Sequence, residues 1–335
     1  MLKFNGWNGI SVSRGASYLD ISGLELQGFR PDYTFEYCRA ERGNDTAACN
    51  TNGISIDSRN SEKKSHHIRI ARNHVWQCNG GGISAIQADY ILIEDNLVHE
   101  TSWYARYATS GISFLLGWNS DDAPGPHTII RRNRVFNNRS LVEWRAIDKL
   151  SDGNGIIIDS LRNINTNPKT PAYRGGVRVE NNLSFNNGGS GIEVFQSDGV
   201  DIANNTVYKN GQVVGYADIL VNAAGSVNVL NNIAYSRFRA KPIDVVNSTN
   251  VMVDFNLTFN GTSTASGPND LTVDPKFGSA TTEYAWADFR LAEGSPAVGS
   301  GNGRVSPSDD LDGKPRPVDG RVSRGAIEAI GKQIE

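Results

Sequence analysis

The chain has 335 residues, with 33 Lys and Arg against 36 Asp and Glu for a net charge of -3. That balance argues against a protein that holds nucleic acid by massed positive charge. No run approaches the ~20 apolar residues of a membrane span. The 35 glycines, abundant Asn and only two Met disfavour a helical bundle and point to many short strands.

The opening MLKFNGWNGI lacks the charged start and apolar stretch of a secretory leader and enters a strand pattern at once. This reading expects a trimmed or fragmentary chain without an N-terminal cap. A repeated element then runs along the sequence, Gly-Ile followed by alternation, from Gly9, Gly53, Gly82, Gly111, Gly155 and Gly191. An apolar alternation ending in Asn follows, at Asn73, Asn96, Asn133, Asn182, Asn205, Asn232 and Asn256. A third short piece begins at Val75, Val98, Val135, Val207 or Ala234. Three strands per repeat of ~23 residues, without helical periodicity, predict an all-β, single-stranded, right-handed parallel β-helix of about nine to ten coils. A propeller blade needs ~40 to 50 residues, more than this unit provides.

Coils stacked ~4.8 Å apart make the Asn column a structural ladder. Residues 1–270 are the expected coils, and the Pro- and Gly-rich residues 271–335 a cap on the last one. Either Cys38 and Cys49 close a small loop, placing maturation in an oxidising compartment and leaving Cys78 as a buried free thiol, or all three are unpaired thiols of a cytosolic protein.

The segments Gly80 to Ile91, Ser110 to Asp122, Lys149 to Asp159 and Asn186 to Gly211, with the closing DPKF, GSPAVGSG and RGAIE, resemble the bacterial right-handed β-helix proteins of the pectate-lyase-like superfamily. The resemblance implies a secreted or periplasmic, polysaccharide-active protein. It does not choose a reaction, since that superfamily holds lyases, hydrolases, epimerases and adhesins.

The residues locate a groove independently. In the Gly-Ile strand the third and fifth positions point outward, and long insertions flank this strand: 99–110 and 138–154 before it, 58–66, 116–127 and 161–176 after it. Loops walling one sheet make a cleft. Trp103, Tyr104, Tyr107, Trp118, Trp144 and Tyr173 on these loops are candidate sugar platforms, and Arg162 and Arg174 candidate substrate contacts. Lys149, Asp152, Asp159, Glu193, Asp57 and Arg145 are the catalytic candidates. Asp121, Asp122, Asp152 and Asp159 form the donor set for a Ca²⁺ ion. No organic cofactor fingerprint is present.

Two chemistries fit. β-Elimination on a uronic-acid polymer would use Lys149 or an Arg as base beside a neutralised carboxylate, and the Lys, Arg and Asp mixture slightly favours it. Glycoside hydrolysis needs only a carboxyl pair, Asp159 with Asp57, Asp152 or Glu193. A glycan-gripping adhesin is the non-catalytic alternative. The expected partner is a polysaccharide, with no nucleic acid and no membrane insertion, and the expected state is a monomer.

Overall fold

The computed structural model describes residues 1–166, 169–318 and 320–329. The centre of the 161–176 insertion and the last six residues of the expected cap lie outside the described residues.

Three parallel sheets run the length of the molecule. The Gly-Ile sheet holds eight strands, among them Asn52–Asp57, Ile83–Ile86, Ile112–Leu115, Ile156–Asp159, Ile192–Phe195 and Ile219–Asn222. A second eight-stranded sheet includes His66–Ala71 and Asp89–Glu94. The third has ten strands, from Leu2–Phe4 to Leu271–Thr272. Among the described residues eight complete three-strand coils stack in register, and the third sheet carries one further strand at each end. The expected nine to ten thus overcounts the complete coils by one or two.

Gly-Ile alternation explains the core. Ile54, Ile83, Ile112, Ile156, Ile192, Ile219 and Ile243 are each next in register to the other and fully buried, a single inward column. Corners are set by backbone sign: Arg72, Asp95, Arg132, Asn181, Asn204, Asn231 and Phe255, each preceding a ladder Asn, adopt φ of 52 to 59°. The ladder itself closes as expected. From Asn73 to Asn256 each Nδ2 donates to the next Oδ1 at 3.0 Å, so buried amides are satisfied up the stack. A second ladder, absent from the sequence reading, runs from Thr101 through Asn138, Asn187 and Asn210 to Asp218.

Cys38 and Cys49 form a disulfide, the first of the two alternatives, and Cys78 is free and buried. The C-terminal segment does more than cover the last coil. It runs back along the third sheet: Arg324 donates to the Asn256 carbonyl at 2.6 Å, Ala326 to Thr206, and Asp309 pairs with Arg132 at 2.7 Å. The cause is the aromatic outer face of that sheet, where Phe289 packs on Phe185 and Tyr208 and Tyr284 stacks on Phe136. That face leaves water only if a long segment lies over it.

Candidate functional site

The outward column of the Gly-Ile sheet reads, rung by rung, Ser55, Ser84, Ser113, Ile157, Glu193, Leu220 and Asp244. Outward residues of a bare sheet would be wet, yet Ile157, Glu193, Leu220 and Asp244 are 5 to 8% exposed. The flanking loops sink this column into the floor of a trough.

At the middle of the trough three carboxyls meet. Asp159 ends the strand Ile156–Asp159, and Glu193 lies one rung on, opposite Ile157. Asp152 enters from the preceding turn, where it and Gly153 take φ of 61 and 69°, backbone values a non-glycine residue adopts at a cost. Gly189 lies tight beneath this turn: a Cβ there would sit 2.2 Å from Asn154 Oδ1 and 2.5 Å from the Asp152 carbonyl. Buried Asn154 fixes the arrangement. Its Oδ1 accepts from the Ser190 amide at 2.6 Å, its Nδ2 reaches Asp152 Oδ1 at 3.5 Å, and its side chain also bonds Glu193.

Burial pushes the Asp152 carboxyl up to about 7, with Asp159 adding like-charge repulsion against a bond from Ser151. Asp159 is raised by burial, partly offset by the Ser160 hydroxyl at 2.7 Å. Glu193 is raised well above the carboxylate range by burial and then by Asp152 and Asp159. No Lys or Arg is among the groups that shift any of the three. Tyr216, which the sequence reading missed, joins them: burial raises its phenol, Ser151 bonds it, and Glu193 and Asp152 act on it. Its signal was positional, three residues before the strand Ile219–Asn222 on the edge from which Asp152 enters.

The other candidates separate. Asp57 stands three rungs from Asp159, through Ile86 and Leu115, about 14 Å at the inter-strand spacing. Burial would raise it, but Arg59, bonding it through Nε and Nη2, outweighs that and holds it low. It is not the partner of Asp159. Lys149 and Arg145 are exposed on the wall loop, where the Lys149 carbonyl accepts from the Trp144 amide at 2.8 Å and the Arg145 amide donates to Arg106; neither side chain is drawn onto the carboxyls.

The Ca²⁺ set is not assembled. Asp121 accepts from Tyr90 and from the Ala123 amide, and Asp122 pairs with Arg174, both on the opposite wall from Asp152. Among the described residues no group of three or more His, Cys, Asp or Glu is arranged to hold a metal ion. Arg174 and Arg162 are thereby also committed, the latter to Asp198 through Nε and Nη2.

The aromatic platforms divide. Tyr173 is 6% exposed, packs edge-on against Phe114 and donates to buried Asp89; it is a core residue. Trp103 donates Nε1 to the Asn137 carbonyl, and Arg30 lies over its ring at 4.2 Å, so its face is taken. Tyr104 packs edge-on against Trp103. Trp118 carries Lys64 over its ring at 5.4 Å, and Trp144 is tied to Lys149 by an antiparallel bridge. Tyr107 is 38% exposed and bears on the charge of Arg59 across the trough. One wall was not foreseen. The disulfide-closed segment before Asn52, with its helix Phe35–Ala40, sends Arg39 to Glu143 and Arg42 to Asp148.

The family model described as right handed beta helix region matches residues 2–234. The chain belongs to the right-handed β-helix family. Among solved structures, the right-handed β-helix here is similar to the A-module of the mannuronan C-5 epimerase AlgE4 of Azotobacter vinelandii, at 12% identity over 80% of this chain and 78% of that one, with a TM-score of 0.37. Pectate lyase Pel9A is similar at 11% identity over 97% and 89%, TM-score 0.40. XylC in complex with xylose is similar at 11% over 84% and 65%, TM-score 0.39. No curated protein matches the sequence. Likenesses this distant leave the chemistry of those proteins with those proteins.

Proposed function

We propose that this β-helix hydrolyses glycosidic bonds of a polysaccharide lying in the trough, with Glu193, Asp159 and Asp152 doing the acid–base work. One observation carries the reading: buried Glu193 and half-buried Asp152 and Asp159 meet without a Lys or Arg acting on them, so burial and mutual repulsion raise all three. Glycoside hydrolysis requires a carboxylic acid to protonate the leaving oxygen and an ionised carboxylate to act as base or nucleophile. Glu193, the more deeply raised, is the acid. Asp159, half-buried and steadied by Ser160, is the ionised partner, and Asp152 sets how many protons the group holds.

β-Elimination, slightly favoured by the Lys, Arg and Asp mixture, is the second reading. It calls for a base and for cationic neutralisation of the substrate carboxylate, and Lys149 and Arg145 point to no contact with the trio. The disulfide supports maturation in an oxidising compartment. No helix among the described residues is long and apolar enough to cross a membrane.

The test is incubation with polyuronate and neutral glycans, with and without chelator. New reducing ends without absorbance near ~235 nm are expected. An unsaturated chromophore, above all one lost with chelator, would overturn hydrolysis in favour of elimination, and retention on a glycan without cleavage would leave an adhesin.

A further inference from the structure

The two ends of the trough differ in charge, and on the reading that the carboxyl trio is the reaction centre this difference bears on the substrate. Towards the N-terminus the floor is Ser55, Ser84 and Ser113, with Ser84 Oγ 3.3 Å from Ser55 Oγ. The charges over it are already engaged: Asp57 with Arg59, and Lys64 with the Ser58 carbonyl at 2.8 Å and Gln87 at 2.9 Å. Towards the C-terminus the rungs after Glu193 are Leu220 and Asp244, and a cavity of about 410 Å³ opens over them.

Tyr216, Arg237, Phe238, Arg239 and Lys241 wall this cavity. Asp244 is its one carboxylate, and Lys241 at 2.7 Å and Thr264 at 2.8 Å satisfy it. Arg237 gives Nε to the neutral Asn210 carbonyl at 2.8 Å. Arg239 is exposed, its guanidinium 5.1 Å from the Phe238 ring, and that ring is itself 76% exposed. With Lys241 paired to Asp244 and Arg237 also acting on buried Asp218, Arg239 is the exposed cation of this surface. It lies beside an exposed ring that it approaches on one face, and together they are complementary to an anion carried on a sugar ring. Tyr216 belongs both to this cavity and to the carboxyl trio, so a sugar seated here adjoins the bond being cut.

We propose that this cavity is a subsite for an anionic sugar, its carboxylate or sulfate taken by Arg237 and Arg239 and its ring by Phe238. The substrate is then a heteroglycan with a charged residue on the C-terminal side of the scissile bond and an uncharged one on the serine side.

Calorimetry on the full-length Asp152→Asn protein tests this with three probes of equal length: glucuronate alternating with N-acetylglucosamine, an uncharged glucan, and the same glucan sulfated. The uronate or the sulfated probe should bind at least ~10-fold tighter than the uncharged one, and added salt should shrink the difference. Arg239→Gln and Arg237→Gln should each remove most of it, while Phe238→Ala should weaken all three probes. Equal binding of charged and uncharged probes, no binding of any, or a charge preference indifferent to both arginines overturns the subsite. Because the readout is binding by a variant lacking Asp152, the two claims fail separately. Cleavage without charge preference removes the subsite alone; charge-selective binding with no cleavage of any glycan removes the catalytic reading and keeps the anionic site.

Discussion

Two sets of buried carboxyls sit on neighbouring sheets of this molecule and behave oppositely. Glu94 is 4% exposed. Burial works to raise it, but Arg69 at 2.7 Å and Arg131 at 2.8 Å bond it, the charges of Arg131 and Arg132 add to this, and it stays below its ordinary range. Glu193 is buried to a similar degree and Asp152 and Asp159 are half-buried; none of the three has such a partner, and all are raised. Burial alone therefore does not separate the two clusters; the trio adds like-charged neighbours and lacks the arginines that hold Glu94 low. The Glu94 cluster is fastening, and on the proposed reading the trio is the reaction centre.

The contrast can be broken by substitution. Glu193→Gln and Asp159→Asn should each lower kcat by ~10² to 10⁴ with the unfolding midpoint preserved or raised; steady-state kinetics beside thermal denaturation checks both. Glu94→Gln should do the reverse, costing about 2 kcal/mol of stability while kcat per folded molecule holds. If Glu94→Gln abolished turnover in folded protein, the division between the two clusters would be wrong.

Asp152 sharpens it by pH. Its folded value, about 7, lies above the unfolded 3.8, so its contribution to stability is intact below about 4 and lost as pH rises through 7. Asp152→Asn should then raise the melting temperature at pH 8, leave it unchanged near pH 4, and still reduce turnover. The smallest effect concerns His74 and His99, whose Nε2 atoms face at 2.8 Å. Burial lowers both, His99 to about 4, so stability complete above pH 6.5 should decline as pH falls towards 4. His99→Gln should flatten that decline in urea titrations.

Most of the coil architecture was legible because it is written in short-range patterns. The Ile54 to Ile243 column follows from period-two alternation after Gly, and the Asn73 to Asn256 ladder from a repeated spacing. The second ladder was not, because it starts on Thr101, ends on Asp218 and is spread by insertions, although Asn138, Asn187 and Asn210 form it by the same physics. In the site, Asp152, Asp159 and Glu193 were readable from stacking register. What alternation cannot convey is who else approaches: Arg59 neutralising Asp57, Arg30 covering Trp103, Asp89 drawing Tyr173 into the core, or Arg174 engaging Asp122. Those partners come from loops whose paths no local pattern specifies.

The protonation of the trio is the quantity on which the account turns. Carboxyl ¹³C NMR titration of the protein between pH 4 and 9, assigned with Asp152→Asn and Glu193→Gln, should show at least one of the three still protonated at pH 6.5 while Glu94 is ionised throughout. A trio fully ionised by pH 5, titrating like exposed carboxylates, would contradict it.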